Sequence, residues 1–114
     1  MARVRPSTAE TTPLVLEMQR LGFSEYEART YLTLLQGYPA TAYEVSKAAN
    51  LPRSNTYAAL DSLTRKRAVQ PVNQQPARFV PVAPETLLSR ISEDTTERCR
   101  SLTSELGKLQ VEPE

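Results

Sequence analysis

Two helix-forming stretches in the middle of the chain are separated by only about three residues. The first begins at Thr41 and ends at about Asn50, and the second begins at Arg53, so that Asn50, Leu51 and Pro52 form the connection. A connection of this length is typical of a helix-turn-helix, in which the second helix crosses the first. The chain is therefore restricted to folds built around such a helix pair.

Local end signals support these helices and a helix that precedes them. Ser24 and Glu27, and likewise Thr41 and Glu44, have the spacing of a capping box, in which hydroxyl and carboxylate satisfy amides at the helix start. Asn50 suits the end of a helix, because asparagine tolerates the left-handed conformation. We therefore interpret the two hydroxyl–carboxylate pairs as helix caps and not as catalytic groups.

The spacing of apolar residues predicts the faces that turn inward. Pro13 opens a first helix, which ends at Gly22, and a second helix ends at Gly37. In chain order, the expected apolar faces of four helices are Leu14, Val15, Met18 and Leu21; Ala28, Tyr31, Leu32 and Leu35; Ala42, Val45, Ala48 and Ala49; and Thr56, Ala59, Leu60 and Leu63.

Residues 69–82 predict a two-stranded hairpin, or wing, after the helix-turn-helix. Valines and Phe79 supply the apolar positions, and residues 73–76 supply the turn. Pro71 and Pro81 cannot donate to a strand ladder, so the ribbon is expected to be short or to lie at an edge.

A long helix opening at Pro84 carries one narrow apolar stripe, which we call the seam. Its members are Leu88, Ile91, Thr95, Cys99, Leu102, Leu106 and Leu109. A narrow seam with charge on the other faces is typical of a coiled coil and predicts a homodimer, with Cys99 buried in the seam. The alternative is that the helix folds back onto the first helix of the same chain.

The charge of the chain is strongly polarised although its net value is only +1. Residues 45–80 hold six basic side chains and one acidic one, a net +5, whereas residues 6–44 and 83–114 each come to −3. A basic middle between acidic flanks indicates a polyanionic partner for one face.

Several classes of protein are excluded by composition. The chain has no histidine, one cysteine and three glycines, so it lacks the usual general base, a zinc-finger ligand set and a Gly-rich phosphate loop. No stretch approaches the roughly 20 apolar residues of a membrane span. We expect neither enzyme activity, nor a metal or cofactor, nor membrane insertion.

The start of the second helix of the pair is the predicted base-reading site. In a helix-turn-helix this end meets base edges in the major groove. Arg53 can donate to guanine and Asn55 to adenine, while Ser54 can serve a base or a phosphate. Tyr57 can pack on a thymine methyl or reach a phosphate. The alternative is a solvated helix start without a ligand.

Predicted contacts to the DNA backbone come from other elements. They are Thr41, Tyr43 and Lys47 at the preceding helix and Arg78 in the wing, which can also enter the minor groove. The basic run at 65–67 is equally suited to stabilising a helix C-terminus, which favours cations.

Three stretches together resemble the N-terminal domain of the TrmB family of transcriptional regulators. They read LGFSEYEARTYLTLL at 21–35, ATAYEVSKAANLPRSNTYAALDSLTRKRAV at 40–69 and PARFVPVAPETLL at 76–88. The resemblance covers about residues 13–90 and implies a winged helix-turn-helix that binds DNA. The family usually has glycine where this chain has Arg67, so either this arginine adopts a left-handed conformation or the helix ends differently.

We therefore expect a mainly α chain with a small β-hairpin, a winged helix-turn-helix followed by a long dimerisation helix. The predicted parts are a flexible arm at 1–12, the DNA-binding domain at 13–83, the coiled-coil-like helix at 84–110 and a tail at 111–114.

The predicted function is a sequence-specific, double-stranded-DNA-binding transcriptional regulator. It would act as a homodimer on the nucleoid of a prokaryotic cytoplasm, with a recognition helix at about 53–67 in the major groove and the wing at 69–82 on the adjacent backbone or minor groove. The alternative is a winged-helix protein–protein interaction module of a transcription complex. The polar helix tip argues against it, since such interfaces favour apolar anchors.

Overall fold

The computed structural model describes residues 8–113 of the chain. Within this range the chain divides after Val82 into two compact units. Its elements, in order, are α1 (Thr8–Arg20), α2 (Glu25–Leu35), β1 (Ala40–Thr41), α3 (Ala42–Ala49), α4 (Arg53–Arg65), β2 (Val69–Gln74), β3 (Ala77–Pro81) and α5 (Pro84–Leu109).

Helix α1 begins at Thr8, earlier than the predicted start at Pro13. Pro13 lies inside the helix. Its fixed φ is compatible with a helix, but it lacks the amide that would donate to the carbonyl four residues back. Of the predicted arm at 1–12, residues 1–7 lie outside the described residues, and residues 8–12 are helical. Residues 8–12, which were predicted to belong to the flexible arm, are therefore part of α1.

Both capping boxes are present with the predicted partners. At α2 the Ser24 hydroxyl accepts from the Glu27 amide at 3.0 Å, and Glu27 Oε1 accepts from the Ser24 amide at 2.7 Å. At α3 the corresponding distances are 3.1 Å for the Thr41 hydroxyl and 2.8 Å for Glu44 Oε1. These local signals set where the two helices begin.

Three helices end in the same way, on a residue with positive φ. Gly22, Asn50 and Arg67 follow α1, α3 and α4 with φ of 102°, 54° and 61°. In each case the amide of the next residue returns to a carbonyl five residues back, as from Ala68 to Leu63 at 2.8 Å. Arg67 therefore takes the left-handed conformation at the position where the resemblance implies glycine, at a cost of about 1 kcal/mol.

The core of the first unit lies between α2, α3 and α4. Its largest fully buried side chains include Leu34, Val45, Leu60 and Leu63, and Thr56 is buried with them. The predicted inner face of α4 is confirmed in full, since Thr56, Ala59, Leu60 and Leu63 are all buried.

The predicted inner faces of the other helices need correction. In α3 the buried residues are Ala42, Val45 and Ser46, whereas Ala48 is exposed. Ser46 tolerates burial because its hydroxyl donates to the Tyr43 carbonyl at 2.8 Å, which a pattern based on apolar residues does not anticipate.

Helices α1 and α2 also differ from the apolar pattern. In α2, Leu34 is fully buried and Leu35 only partly, while Ala28 and Tyr31 are buried as predicted. In α1, Val15 is buried and Leu14 is half exposed. Leucines lie on more than one side of α1, so spacing alone does not identify the covered side.

The wing forms as predicted but is part of a three-stranded antiparallel sheet. The strand order is β1-β3-β2, so β3 is central and pairs Phe79 with Ala40 and Arg78 with Thr41. The β2–β3 register shifts between Pro71 and Asn73, where proline provides no amide. Strand β1 was not predicted, because its two residues show no alternation and overlap the cap of α3.

Tyr31 joins helix α2 to the end of the sheet. Its hydroxyl donates to the Val82 carbonyl at 2.7 Å, and the Val82 amide donates to the Ala68 carbonyl at 2.8 Å. Burial raises the pKa of the Tyr31 phenol above its ordinary value. These bonds hold the end of the wing next to the helices.

The second unit contains α5, which begins at Pro84 as predicted and extends to Leu109, one residue short of the predicted end at 110. The buried residue of α5 is Leu87, which is not a member of the predicted seam. Leu88, the first residue of the seam, is exposed. None of the helices in the described range is long and apolar enough to cross a membrane.

Candidate nucleic-acid interface

The turn between α3 and α4 has the predicted length and geometry. Asn50 adopts a left-handed conformation, and Leu51 is buried with its amide donating to the Ser46 carbonyl at 2.9 Å. Pro52 then precedes the first residue of α4, Arg53. The buried leucine anchors the turn, so the start of α4 is fixed relative to α3.

The N-terminus of α4 is electrostatically different from those of α2, α3 and α5. Each of those three helices has a carboxylate in its first turn, whereas α4 has none and no side-chain cap. The positive end of its helix dipole is therefore uncompensated and is reinforced by Arg53. This end of α4 is suited to an anionic partner.

The predicted base-reading residues lie together on the outer side of α4. Arg53 and Ser54 are exposed, Tyr57 is 55% exposed, and Asn55 is partly buried. Thr56 faces the core between them. Guanidinium, hydroxyl and amide groups are therefore presented in one turn of helix, with the donors and acceptors that read base edges.

Tyr43 and Lys47 of α3, both predicted to contact the DNA backbone, lie close to Arg53. The Tyr43 ring contacts the cationic groups of both Lys47 and Arg53. The Arg53 guanidinium carbon lies 4.9 Å and the Lys47 ammonium 5.5 Å from the centroid of the Tyr43 ring. Distances of this size are those of cation–π contacts. The structure thus gathers residues from both helices of the pair into one cationic cluster, which we call the Tyr43 cluster.

The sheet brings Thr41 and Arg78 together. These two residues are register partners in β1 and β3, and the Thr41 hydroxyl accepts the Glu44 amide while its own proton remains available to donate. Arg78 is partly buried and borders a groove of about 750 Å³ between α1, α2 and α3. The wing residue is thereby placed beside the start of α3.

The C-terminal end of α4 is held by the buried carboxylate of Glu27, for which the sequence predicted only a role as a helix cap. Glu27 is 5% exposed and accepts hydrogen bonds from the Lys66 ammonium at 2.8 Å and from the Ser62 hydroxyl. Lys66 also lies 5.0 Å from the Phe23 ring and 3.3 Å from the Gly22 carbonyl. Lys66 is therefore engaged within the chain.

The protonation of Glu27 follows from these contacts. Burial raises the pKa of its carboxyl, but the Lys66 ammonium and hydrogen bonds from Ser62 and the Ser24 amide lower the pKa by more. Its pKa therefore lies below the ordinary value of 4.5. Arg65, next to Lys66, pairs with Asp61 on the surface of α4.

Glu27→Gln is expected to lower the free energy of unfolding at neutral pH by about 1–2 kcal/mol, because the charged hydrogen bonds to Lys66 and Ser62 are weakened. A carboxyl group whose pKa is lower in the folded state stabilises the fold at pH values above its ordinary pKa. This stabilisation is lost as the pH falls through the pKa of the folded state. In denaturant titrations, the difference between wild type and variant should therefore be largest at neutral pH and shrink as the pH falls below 4.5.

Glu44→Gln provides the control, since it alters the same capping motif at an exposed site and glutamine also serves in a capping box. It should change stability by less than about 0.5 kcal/mol. Equal losses for the two variants at every pH would contradict a special role for Glu27.

The predicted dimerisation residues follow one side of α5. Leu102, Leu106 and Leu109 are 49%, 58% and 76% exposed, and Cys99 is exposed too. Ile91 is partly buried, and Thr95 is exposed. The distal leucines therefore form an exposed apolar row on a helix whose other faces are charged.

The α3–α4 pair followed by the β2–β3 hairpin defines a winged helix-turn-helix, a class in which the second helix of the pair is the recognition helix. A family model described as the sugar-specific transcriptional regulator TrmB matches residues 18–85. The chain belongs to the TrmB family of transcriptional regulators, a winged-helix DNA-binding family.

Individual relatives agree with this assignment. The chain is 38% identical over 81 residues to the HTH-type sugar sensing transcriptional regulator TrmBL1 of Pyrococcus furiosus, a match covering 71% of this chain and 24% of that protein. Its fold is similar to that of TrmBL2, described as an archaeal chromatin protein with a novel mode of DNA binding. That match has a TM-score of 0.83 and 25% identity, over 88% of this chain and 39% of that one.

A possible transcriptional regulator from Methanosarcina mazei Go1 shares the fold at a TM-score of 0.65 and 13% identity, over 96% of this chain and 98% of that chain. These proteins are described as regulators or as a chromatin protein, not as enzymes. The chain spans about a quarter of the length of the curated relatives it matches.

Proposed function

We propose that the chain is a DNA-binding transcriptional regulator that reads a specific double-stranded site through α4. The observation that carries this proposal is the start of α4, where a helix N-terminus without an acidic residue presents Arg53, Ser54 and Tyr57 on its exposed side. An uncompensated positive helix end next to base-reading side chains is suited to the major groove of duplex DNA.

The proposed contacts fall into two groups. Arg53, Ser54, Asn55 and Tyr57 would meet base edges, while Thr41, Tyr43, Lys47 and Arg78 would meet the backbone. Phosphate contacts supply affinity without sequence information, and base contacts supply the selectivity. The positions of the proposed backbone-contacting residues support this separation of roles. These residues belong to α3 and the sheet, and not to the first turn of α4.

We further propose that two copies pair through the seam of α5. Three exposed leucines at one side of an otherwise charged helix support this, since burying a leucine side chain stabilises an interface by roughly 1.5–3 kcal/mol. A dimer would place two recognition helices on half-sites of a pseudo-palindrome, about one helical turn apart. The protein would act on the nucleoid of a prokaryotic cytoplasm.

The test of DNA binding is its dependence on salt. The affinity for duplex DNA should fall with a log–log slope of about −3 to −4, because Lys47 and Arg78 of two protomers would neutralise about four phosphates. Fluorescence anisotropy with a labelled duplex from about 50 to 200 mM salt measures the slope. A slope near zero, or no duplex binding at the lowest salt, would contradict the proposal.

Selection from random duplexes at fixed salt would then identify the preferred site. An enriched sequence with two related halves is expected from paired recognition helices. The recovery of unrelated sequences would leave DNA binding intact and contradict specific reading.

A further inference from the structure

The Tyr43 cluster is not required by the fold. The Tyr43 side chain is 46% exposed, so it contributes little to the core, although it lies in the first turn of a helix whose opposite side is buried. Nevertheless its ring contacts two cations, one from its own helix and one from the next.

Within residues 8–113, the two cations of the cluster have no acidic partner. None of the ion pairs in the described part of the chain includes Lys47 or Arg53. Two positive groups that approach the same ring repel one another, and the ring's negative face offsets that repulsion. The ring therefore gathers positive charge at the start of α4 without neutralising it.

We infer that Tyr43 is a positioning residue for base reading: its ring holds the Arg53 guanidinium in place at the start of α4 before DNA binds. This inference rests on the proposed function of α4. A guanidinium that stacks on a ring keeps its N–H groups, which lie in its own plane, available to donate. Holding a long side chain in its bound orientation reduces the entropy lost when the complex forms.

This role differs from the DNA-backbone contact proposed for Tyr43, which its hydroxyl would make to a phosphate. A hydroxyl contact acts on every sequence alike, whereas placement of Arg53 acts on the difference between the preferred site and other sequences. Phenylalanine retains the ring and removes the hydroxyl, while leucine retains apolar bulk and removes the ring. The two substitutions therefore separate the two roles.

The measured quantity is the ratio of the Kd for a random duplex to the Kd for the selected site, at one salt concentration. Tyr43→Leu is expected to lower this ratio by about 2- to 5-fold, the size of an exposed cation–π contact. Tyr43→Phe is expected to keep the ratio of the wild type, whatever the hydroxyl contributes to overall affinity. In an Arg53→Ala background, Tyr43→Leu should not lower the ratio further.

A measurement without DNA separates this inference from the proposed function. Ring-current shifts of the Arg53 side-chain protons in NMR spectra should be present in the wild type and Tyr43→Phe and absent in Tyr43→Leu. Unshifted Arg53 protons in the folded wild type would overturn the inference, as would equal losses of the ratio in both variants or an unchanged ratio in Tyr43→Leu. Shifted protons in a protein that binds no duplex would confirm the stacking and contradict the proposed function.

Discussion

Leu102→Glu combined with Leu106→Glu is expected to yield a folded monomer that binds its operator about 100- to 10,000-fold more weakly than the wild type. The distal leucines of α5 are exposed in the single chain, and a glutamate at either position would have to be desolvated at a helix–helix interface. The substitution therefore acts on association and not on the core of the first unit.

The loss of affinity follows from the coupling of two half-sites. Once one recognition helix of a dimer is bound, the other meets its half-site at a high effective concentration, and a monomer loses this gain. Sedimentation equilibrium measures the state of association, and anisotropy on the selected duplex measures the affinity. Binding to an isolated half-site should be nearly unchanged.

The matched control places two glutamates on other sides of the same helix, as Ser101→Glu with Ser104→Glu. The acidic groups added are the same in number, but both positions lie off the seam, so the protein should remain dimeric. A wild type that is monomeric at micromolar concentration would show that the seam is not a dimer interface. Persistence of the dimer in the double leucine variant would contradict the seam as its location.

Arg53→Ala is expected to weaken binding to the selected site by roughly 1–3 kcal/mol, about 5- to 150-fold, while affecting random duplex much less. The exposed guanidinium at the start of α4 can donate two hydrogen bonds to guanine, and alanine leaves those acceptors without a partner. Selection with the variant should show relaxed preference at one base pair of each half-site.

Arg78→Ala is the control for this prediction. A phosphate contact from the wing contributes to all sequences alike, so this variant should weaken selected and random duplexes by similar factors and make the salt slope shallower. Equal losses on both duplexes for Arg53→Ala would show that Arg53 does not read bases.

Sequence alone determined the features that depend on residues close together in the chain. The capping boxes at Ser24 and Thr41 involve residues three apart, and the left-handed ends at Gly22 and Asn50 depend on the residue itself. Together with the short turn before Arg53 and the patterned wing, these signals were sufficient for the winged helix-turn-helix and for the position of its recognition helix.

Only the tertiary structure decided which distant residues some of these same side chains also contact. Glu27, a cap in the sequence, is also the buried partner of Ser62 and Lys66, which lie 35 and 39 residues away. No local pattern encodes a pair at such a separation, because the partner is set by how α2 packs on α4. Burial of Ser46 likewise depends on the neighbouring helices and not on its polarity.

The same distinction applies to the candidate interface. The residue types of Tyr43, Lys47 and Arg53 each predicted contact with DNA. The approach of Arg53 to the ring that Lys47 also contacts depends on how α4 packs against α3. Strand β1 exists because Ala40 and Thr41 meet the edge of β3, although two residues carry no strand pattern of their own. Periodicity identifies which residues of an element share a face, and packing decides which partner that face meets.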